Sequence, residues 1–198
     1  IKTALDNLDF EIIDFYLRIF PEDRIKEILL NEELNILDKF IDNKKFEEFV
    51  SLLEFFDEDE KKELLFQDSY KYIKTLASKK EAHGILIEIL RGFDEVEIHN
   101  IISDSDFSVL RQIAIEGSKP TLELLSELVS REDISTSIGS RSYSMVKNYA
   151  AREEFEAIEF LTSFMDGEDR ELSLAAAKSS PRLEGLIGEI AEIMDLEI

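Results

Sequence analysis

Apolar residues fall three and four apart along most of this chain. Phe107, Val109, Leu110, Ile113 and Ala114 set the pattern; Tyr143, Met145, Val146, Tyr149 and Ala150 repeat it, and Leu34, Ile36, Leu37, Phe40 and Ile41 carry it nearer the start. That spacing gathers the apolar side chains on one face of a helix. A second set, Leu122, Leu125, Leu128 and Val129, is matched by Ile158, Leu161, Phe164 and Met165 and by Phe49, Leu52, Phe55 and Phe56, and predicts a second helix. A shorter third set reads Ile25, Ile28, Leu29, then Leu64, Leu65, then Ile98, Ile101, Ile102, then Ile134, Ile138, then Leu172, Ala175. No alternating run of strand length interrupts them. With only seven Gly and three Pro, the chain predicts helix nearly throughout.

The sets recur in register. Acidic punctuation stands at Glu22, Glu58, Glu95, Glu132 and Glu168, 36 or 37 residues apart each time. Phe20, Phe56, Phe93, Val129 and Met165 keep the same step, as do Ile41, Ala77, Ala114 and Ala150. Carboxylates at the start of the third element suit a helix N-terminus, whose unpaired N–H groups and dipole favour negative charge. The expected architecture is an all-α, right-handed α-solenoid of about five such repeats, each of two to three short helices. It would form a single domain over 1–198. A partial N-terminal repeat spans 1–31, where Ile13, Tyr16, Ile19 and Phe20 read as a second helix stopped at Pro21. Repeats follow at 32–68, 69–104, 105–140 and 141–177. A capping helix at 178–198 is predicted to start at Ser180-Pro181, with Leu183, Leu186, Ile187, Ile190, Ala191 and Met194 on one face and Glu184, Glu189 and Glu192 turned to water. The Ser-rich stretch 130–144 is where a third helix should weaken, and Gly92 marks the poorest register. The sequence opens on Ile1, so a longer parent chain is expected.

The run Ala114, Gly117, Leu122, Leu124, Leu125 resembles the ankyrin repeat, in which Ala-x-x-Gly closes the first helix and an apolar-x-apolar-apolar run builds the second. Ala150, Ile158, Phe160 and Leu161 repeat the apolar part, and Ile41, Phe49 and Leu52 follow it loosely. The pattern departs from ankyrin in lacking the Thr-Pro-Leu-His turn and the Gly-Ala-Asp hairpin signature, and in a period about three residues longer. An acidic third segment takes the hairpin's place. Armadillo and HEAT-type solenoids are similar in their short-helix units, with longer repeats. The resemblance implies a non-catalytic scaffold whose first helices line a concave surface that reads a partner.

Charge narrows the options. Forty-five acidic residues against 23 basic ones leave a formal charge of -22. Such a surface repels phosphate backbones, which argues against direct nucleic-acid binding and against a Pumilio-type RNA array. No apolar run is long enough for a membrane span, and no basic-then-apolar leader is present. The absence of Cys removes disulfides and thiolate metal sites and fits an intracellular, cytoplasmic or nuclear, chain.

The sequence offers little chemistry. His83 and His99 are the two histidines, without a His-Glu-x-x-His pattern, and read as ordinary inter-helix or surface residues. The scattered Gly residues form no phosphate-cradling loop. Asp57-Glu58-Asp59-Glu60 and the pair Asp104, Asp106 lack the central Gly and twelfth-position Glu of a calcium loop. No catalytic residue, cofactor or metal is expected. The aromatic column Leu34, Tyr70, Phe107, Tyr143 reads as core. The sharpest polar feature is a basic column in an acidic protein: Lys74, Arg111 and Lys147, with Asp38 in the same place one unit earlier. Lys39, Gln112, Asn148 and Lys71 stand beside it. Stacked helices roughly 8–10 Å apart would line these up as a ridge. Lys39, Lys71, Lys74, Arg111, Gln112, Lys147 and Asn148 are the candidate partner-binding residues, against the plainer reading that the cations pair with neighbouring acids. The expected function is a protein–protein interaction module with two electrostatic versions: an acidic body attracting a basic partner, or the ridge reading an acidic peptide. The alternative is an acidic DNA mimic, or an inhibitor or chaperone of histone-like basic proteins.

Overall fold

The computed structural model describes residues 9–116 and 119–197, and every regular element among them is helical. The α-helices are α1 (Phe10–Ile19), α2 (Glu22–Leu29), α3 (Ile36–Asp42), α4 (Phe46–Leu53), α5 (Glu58–Ala77), α6 (His83–Leu90), α7 (Glu95–Glu116), α8 (Lys119–Ser126), α9 (Arg131–Ala151), α10 (Phe155–Thr162), α11 (Gly167–Lys178) and α12 (Ile187–Ile193). Tight 3-10 turns at Lys80–Ala82 and Pro181–Leu186 precede α6 and α12. Most helices span two or three turns, below the length at which an isolated helix persists in water. Burial of their apolar faces therefore holds them.

The contacts divide the chain into two compact units, Ile1–Thr75 and Leu76–Ile198. In the first, Ile13, Leu17, Ile36, Phe40 and Phe49 are fully enclosed and α3 packs on α4. In the second, α9 packs on α7, α10 and α11, while α6 meets α8, α8 meets α10 and α10 meets α12. Leu76, Leu86, Ile101, Ile113, Tyr149, Ile158 and Ile190 are enclosed there.

The acidic punctuation is capping chemistry. Asp57 accepts from the Glu60 N–H at 2.9 Å, while the Glu60 carboxylate accepts from the Asp57 N–H at 2.9 Å. Asp94 and Glu97 make the same reciprocal pair at 2.8 and 2.9 Å. Ser130 accepts from the Asp133 N–H at 3.0 Å and donates its hydroxyl to the Asp133 carboxylate at 2.8 Å, and Asp166 accepts from the Asp169 N–H at 2.8 Å. Each box satisfies orphan donors of a helix start and is worth about 1 kcal/mol. Pro21 opens α2 with no side-chain cap.

Three long helices break at a feature that the periodicity does not announce. Asp68, Ser69 and Tyr70 in α5, Ser105, Asp106 and Phe107 in α7, and Arg141, Ser142 and Tyr143 in α9 all have φ between 46 and 62° and ψ between 37 and 54°. Each triplet follows an extended residue, Gln67, Asp104 or Ser140. The chain thus makes one left-handed turn between two right-handed helices, at a cost of about 1–2 kcal/mol per residue. The triplets recur 37 and then 36 residues apart. A second left-handed site closes helices: Lys44, Glu153 and Asp195 have φ of 59, 58 and 56°. In each case the next N–H reaches five residues back, Lys45 to Phe40, Glu154 to Tyr149 and Leu196 to Ala191, at 2.9–3.0 Å. These are Schellman closures, built without the usual Gly. Gly117, which occupies that step in the sequence, lies outside the described residues, as do residues 1–8 of the partial first repeat.

Several expectations change. Tyr70, Phe107 and Tyr143 end left-handed turns instead of opening a helical face, and only Tyr143 is buried. In α1, Ile13 and Leu17 are buried whereas Tyr16 and Ile19 face solvent. In α11 the buried positions are Ser173, Leu174 and Ala177, while Leu172 and Ala175 are exposed. Within the 130–144 stretch, residues 131–139 are regular helix with Ile134, Ser137 and Ile138 buried, and the helix breaks at 140–143. The closing segment divides into a 3-10 turn and α12, and Ser180 forms no side-chain cap.

Candidate interaction surfaces

The candidate polar column divides between the two units. In the first, α3 carries half-buried Lys39, and the second half of α5 carries exposed Lys71 and half-buried Lys74. Lys71 bonds the Asp38 carboxylate at 2.5 Å and lies 5.3 Å from the centre of the Tyr72 ring. Lys39 and Lys74 also engage neighbouring groups. Burial, with the charges of Asp38 and Asp68 nearby, pushes the Tyr72 phenol up to about 12. In the second unit, Arg111 and Gln112 stand on α7 and Lys147 and Asn148 on the packed neighbour α9, all half-buried.

Arg111 lies deep, with its side chain only 12% exposed. The left-handed turn at 105–107 places Asp106 back over the helix it precedes. Arg111 donates to the Asp106 carboxylate at 3.0 Å and to the Ser105 carbonyl at 3.4 Å. Arg141, in the next left-handed turn, donates to the same Asp106 oxygen at 3.1 Å. One carboxylate thus holds two guanidinium groups and links successive turns. Helical spacing does not predict this pairing, because Asp106 and Arg111 are five apart and meet where the backbone turns left-handed between helices, and Arg141 comes from the next such turn.

Other bonds link positions of similar separation. Lys26 donates to Glu60 at 2.6 Å and His99 Nδ1 lies 2.8 Å from Asp133, so in both cases an acid in the first turn of one helix meets a helix that starts 36 residues earlier. The Lys26 bond and the Asp57 N–H hold the Glu60 carboxyl below its ordinary range. Tyr143 donates its hydroxyl to Asp169 at 3.1 Å. Burial first, and that bond second, push its phenol up to about 12. Arg152 donates to the carbonyls of Ala114 and Ile115 at the end of α7, bonds Glu154 at 2.9 Å, and lies 4.8 Å from the centre of the Tyr149 ring. A cation over open carbonyls complements the negative end of a helix.

The helix starts at each step carry exposed acids. Glu22 and Asp23, Asp57 to Asp59, Asp94 and Glu95, Glu132, and Asp166 and Glu168 all face solvent. His83 is buried at 4% exposure and its Nε2 lies 2.9 Å from the Ala77 carbonyl oxygen, which makes Nε2 the protonated nitrogen. No group of three or more His, Asp or Glu residues able to hold a metal ion occurs among the described residues. No helix among them is long and apolar enough to cross a membrane. Sequence patterning also passes over the solvent face of α1, where Ile12, Phe15, Tyr16 and Ile19 stand exposed. No protein-family model, no curated protein and no solved structure matches this chain.

Proposed function

We propose that this chain is a non-catalytic protein-interaction module, an α-solenoid of 36–37-residue helical units whose acidic outer surface takes a basic segment of a partner protein. The observation that carries this reading is the recurrence, 36 or 37 residues apart, of a helix start bearing solvent-facing carboxylates, four of the five closed by a side-chain cap at Asp57, Asp94, Ser130 or Asp166. Bonds between side chains 33 to 37 residues apart support the stacked arrangement: Lys71 to Asp38, Lys26 to Glu60, His99 to Asp133, Arg141 to Asp106 and Lys119 to Glu156. Repeat arrays use such continuous surfaces for binding.

Of the two electrostatic versions, the basic partner is favoured. Two of the candidate cations are already paired internally, Lys71 with Asp38 and Arg111 with Asp106. An acidic peptide would have to displace those carboxylates. The test is fluorescence anisotropy of a labelled Lys/Arg-rich peptide at low and moderate salt, using the wild type and the triple charge reversal Lys74→Glu, Arg111→Glu, Lys147→Glu. Binding should be strong at low salt, fall steeply as salt rises, and be retained or tightened by the reversal. Absence of binding to basic peptides would overturn the reading, and loss in the triple variant would return function to the ridge.

A further inference from the structure

The first described helix has two apolar faces. Ile13 and Leu17 are fully buried, while Ile12, Phe15, Tyr16 and Ile19 are 44, 61, 38 and 57% exposed. At 100° per residue these four occupy an arc of about 100°, the width of a complete core-facing stripe. Phe15 and Tyr16 meet edge to face with centroids 6.0 Å apart, so the stripe has a defined aromatic centre. Isolated exposed apolar residues need no explanation, but a contiguous stripe of four does. At the same step in α4, Ile12 and Phe15 give way to Glu48 and Ser51, so the apolar surface at those two positions is an addition in α1, whereas the Tyr16 position is enclosed in three other second helices. Tyr16 stands 36 residues before Leu52, and the corresponding positions in α4, α8 and α10, Leu52, Leu125 and Leu161, are 4, 1 and 0% exposed.

The ground beside the stripe is acidic. A groove between α1 and α4 is lined by Glu11, Asp14, Glu48 and Glu54 over Leu52 and Phe55, with Arg18 and Lys45 as its cations. Those two are already paired, Arg18 with Asp14 at 2.8 Å and Lys45 with Glu48 at 3.2 Å. Glu11 and Glu54 form no ion pair among the described residues. Glu11 and Phe15 are neighbours four apart on α1, so carboxylate and aromatic surface adjoin.

We infer that this face of α1 is a docking site for an amphipathic basic helix, which lays its apolar stripe on Ile12, Phe15, Tyr16 and Ile19 and sets Lys or Arg side chains against Glu11 and Glu54. The recognition mode is helix on helix, with apolar anchors three and four residues apart and charges at the rim. A second copy of this chain is the poorer occupant, because each copy brings a charge of -22. The inference rests on the interaction-module reading and assigns it a site and a partner chemistry.

The test uses three labelled synthetic peptides against the whole chain: an amphipathic Leu/Lys helix, a scrambled peptide of the same composition that cannot form a stripe, and the Leu/Glu counterpart of the first. The Leu/Lys helix should bind best, by about tenfold or more over the other two. Phe15→Ser with Ile19→Ser should weaken it by about tenfold or more, since each buried large side chain is worth at least that factor. Leu172→Ser, which removes an exposed apolar residue elsewhere, should leave binding unchanged. Circular dichroism confirms that the variants stay helical, as expected for solvent-facing positions. Equal binding of all basic peptides, indifferent to the α1 substitutions, would overturn the site while leaving the acidic module standing; no binding by any basic peptide would overturn both. Concentration-dependent dimerisation abolished by Phe15→Ser would give the face to a second copy. Tighter peptide binding after removal of residues 1–8 would give it to the chain's own beginning. Either result would overturn the proposal.

Discussion

At the scale of single residues, the buried imidazole of His83 couples the fold to pH. Burial holds it below its ordinary range, outweighing the bond to the Ala77 carbonyl and the nearby Glu116 and Glu81 charges, with Lys80 acting in the same direction as burial. With Nε2 donating to Ala77, Nδ1 is left buried without a partner. In the unfolded chain the ring takes a proton near pH 6.5. In the fold it does so only at lower pH, so between the two values the unfolded chain holds the extra proton. His83 therefore contributes stability that is present above about pH 6.5 and is lost as pH falls toward the folded value. Melting temperatures taken from pH 7.5 down to 5.5 should drop more steeply for the wild type than for His83→Gln, whose amide retains a donor for Ala77. Parallel curves would show that another group carries the acid sensitivity.

At the scale of elements, the legible features were those with specific local chemistry. Asp57, Asp94 and Asp166 stand where a helix start needs an acceptor, so the acidic punctuation marked real boundaries. The left-handed turns left no such mark. Asp68-Ser69-Tyr70, Ser105-Asp106-Phe107 and Arg141-Ser142-Tyr143 contain no Gly, and their aromatic third residues mimic the opening of an apolar helical face. Short polar residues tolerate the left-handed region, but three in succession ending on an aromatic ring persist only because the flanking helices pack as they do. Ser142, at φ 56 and ψ 52°, separates the possibilities. Ser142→Gly relieves a Cβ penalty of about 1–2 kcal/mol against roughly 1 kcal/mol of added unfolded-state entropy, so it should be neutral or stabilising by up to about 1 kcal/mol. Ser142→Pro imposes the wrong φ and should cost about 3 kcal/mol or more. Urea midpoints measure both, and a Pro variant as stable as the wild type would contradict the left-handed turn.

At the scale of the molecule, the candidate site was only half visible in sequence. The carboxylates that meet Arg111 and Lys71 were hidden by geometry: Asp106 reaches Arg111, and Arg141 as well, through two left-handed turns, and Asp38 reaches Lys71 from another helix. The α1 stripe was hidden for the opposite reason. Helical periodicity reports which residues are apolar, not whether a neighbour exists to cover them, so Tyr16 and Ile19 read like core. The net charge remains legible at every scale. A charge of -22 on 198 residues leaves the exposed carboxylates at the helix starts repelling one another, which opposes compactness at low ionic strength. Salt also screens the favourable ion pairs, but exposed pairs such as Arg18–Asp14 and Arg24–Glu27 are worth only about 0–1 kcal/mol each. The repulsion involves many more charges and acts over about 10 Å at 0.1 M salt. Raising NaCl from about 0.02 to about 0.3 M should therefore raise the melting temperature while it weakens binding of a basic peptide. The two responses should have opposite signs, because carboxylates that repel one another in the free fold would attract a basic peptide. A melting temperature that fell with salt would show that the ion-pair network outweighs the repulsion, and would remove the electrostatic reason for the chain to seek a basic partner.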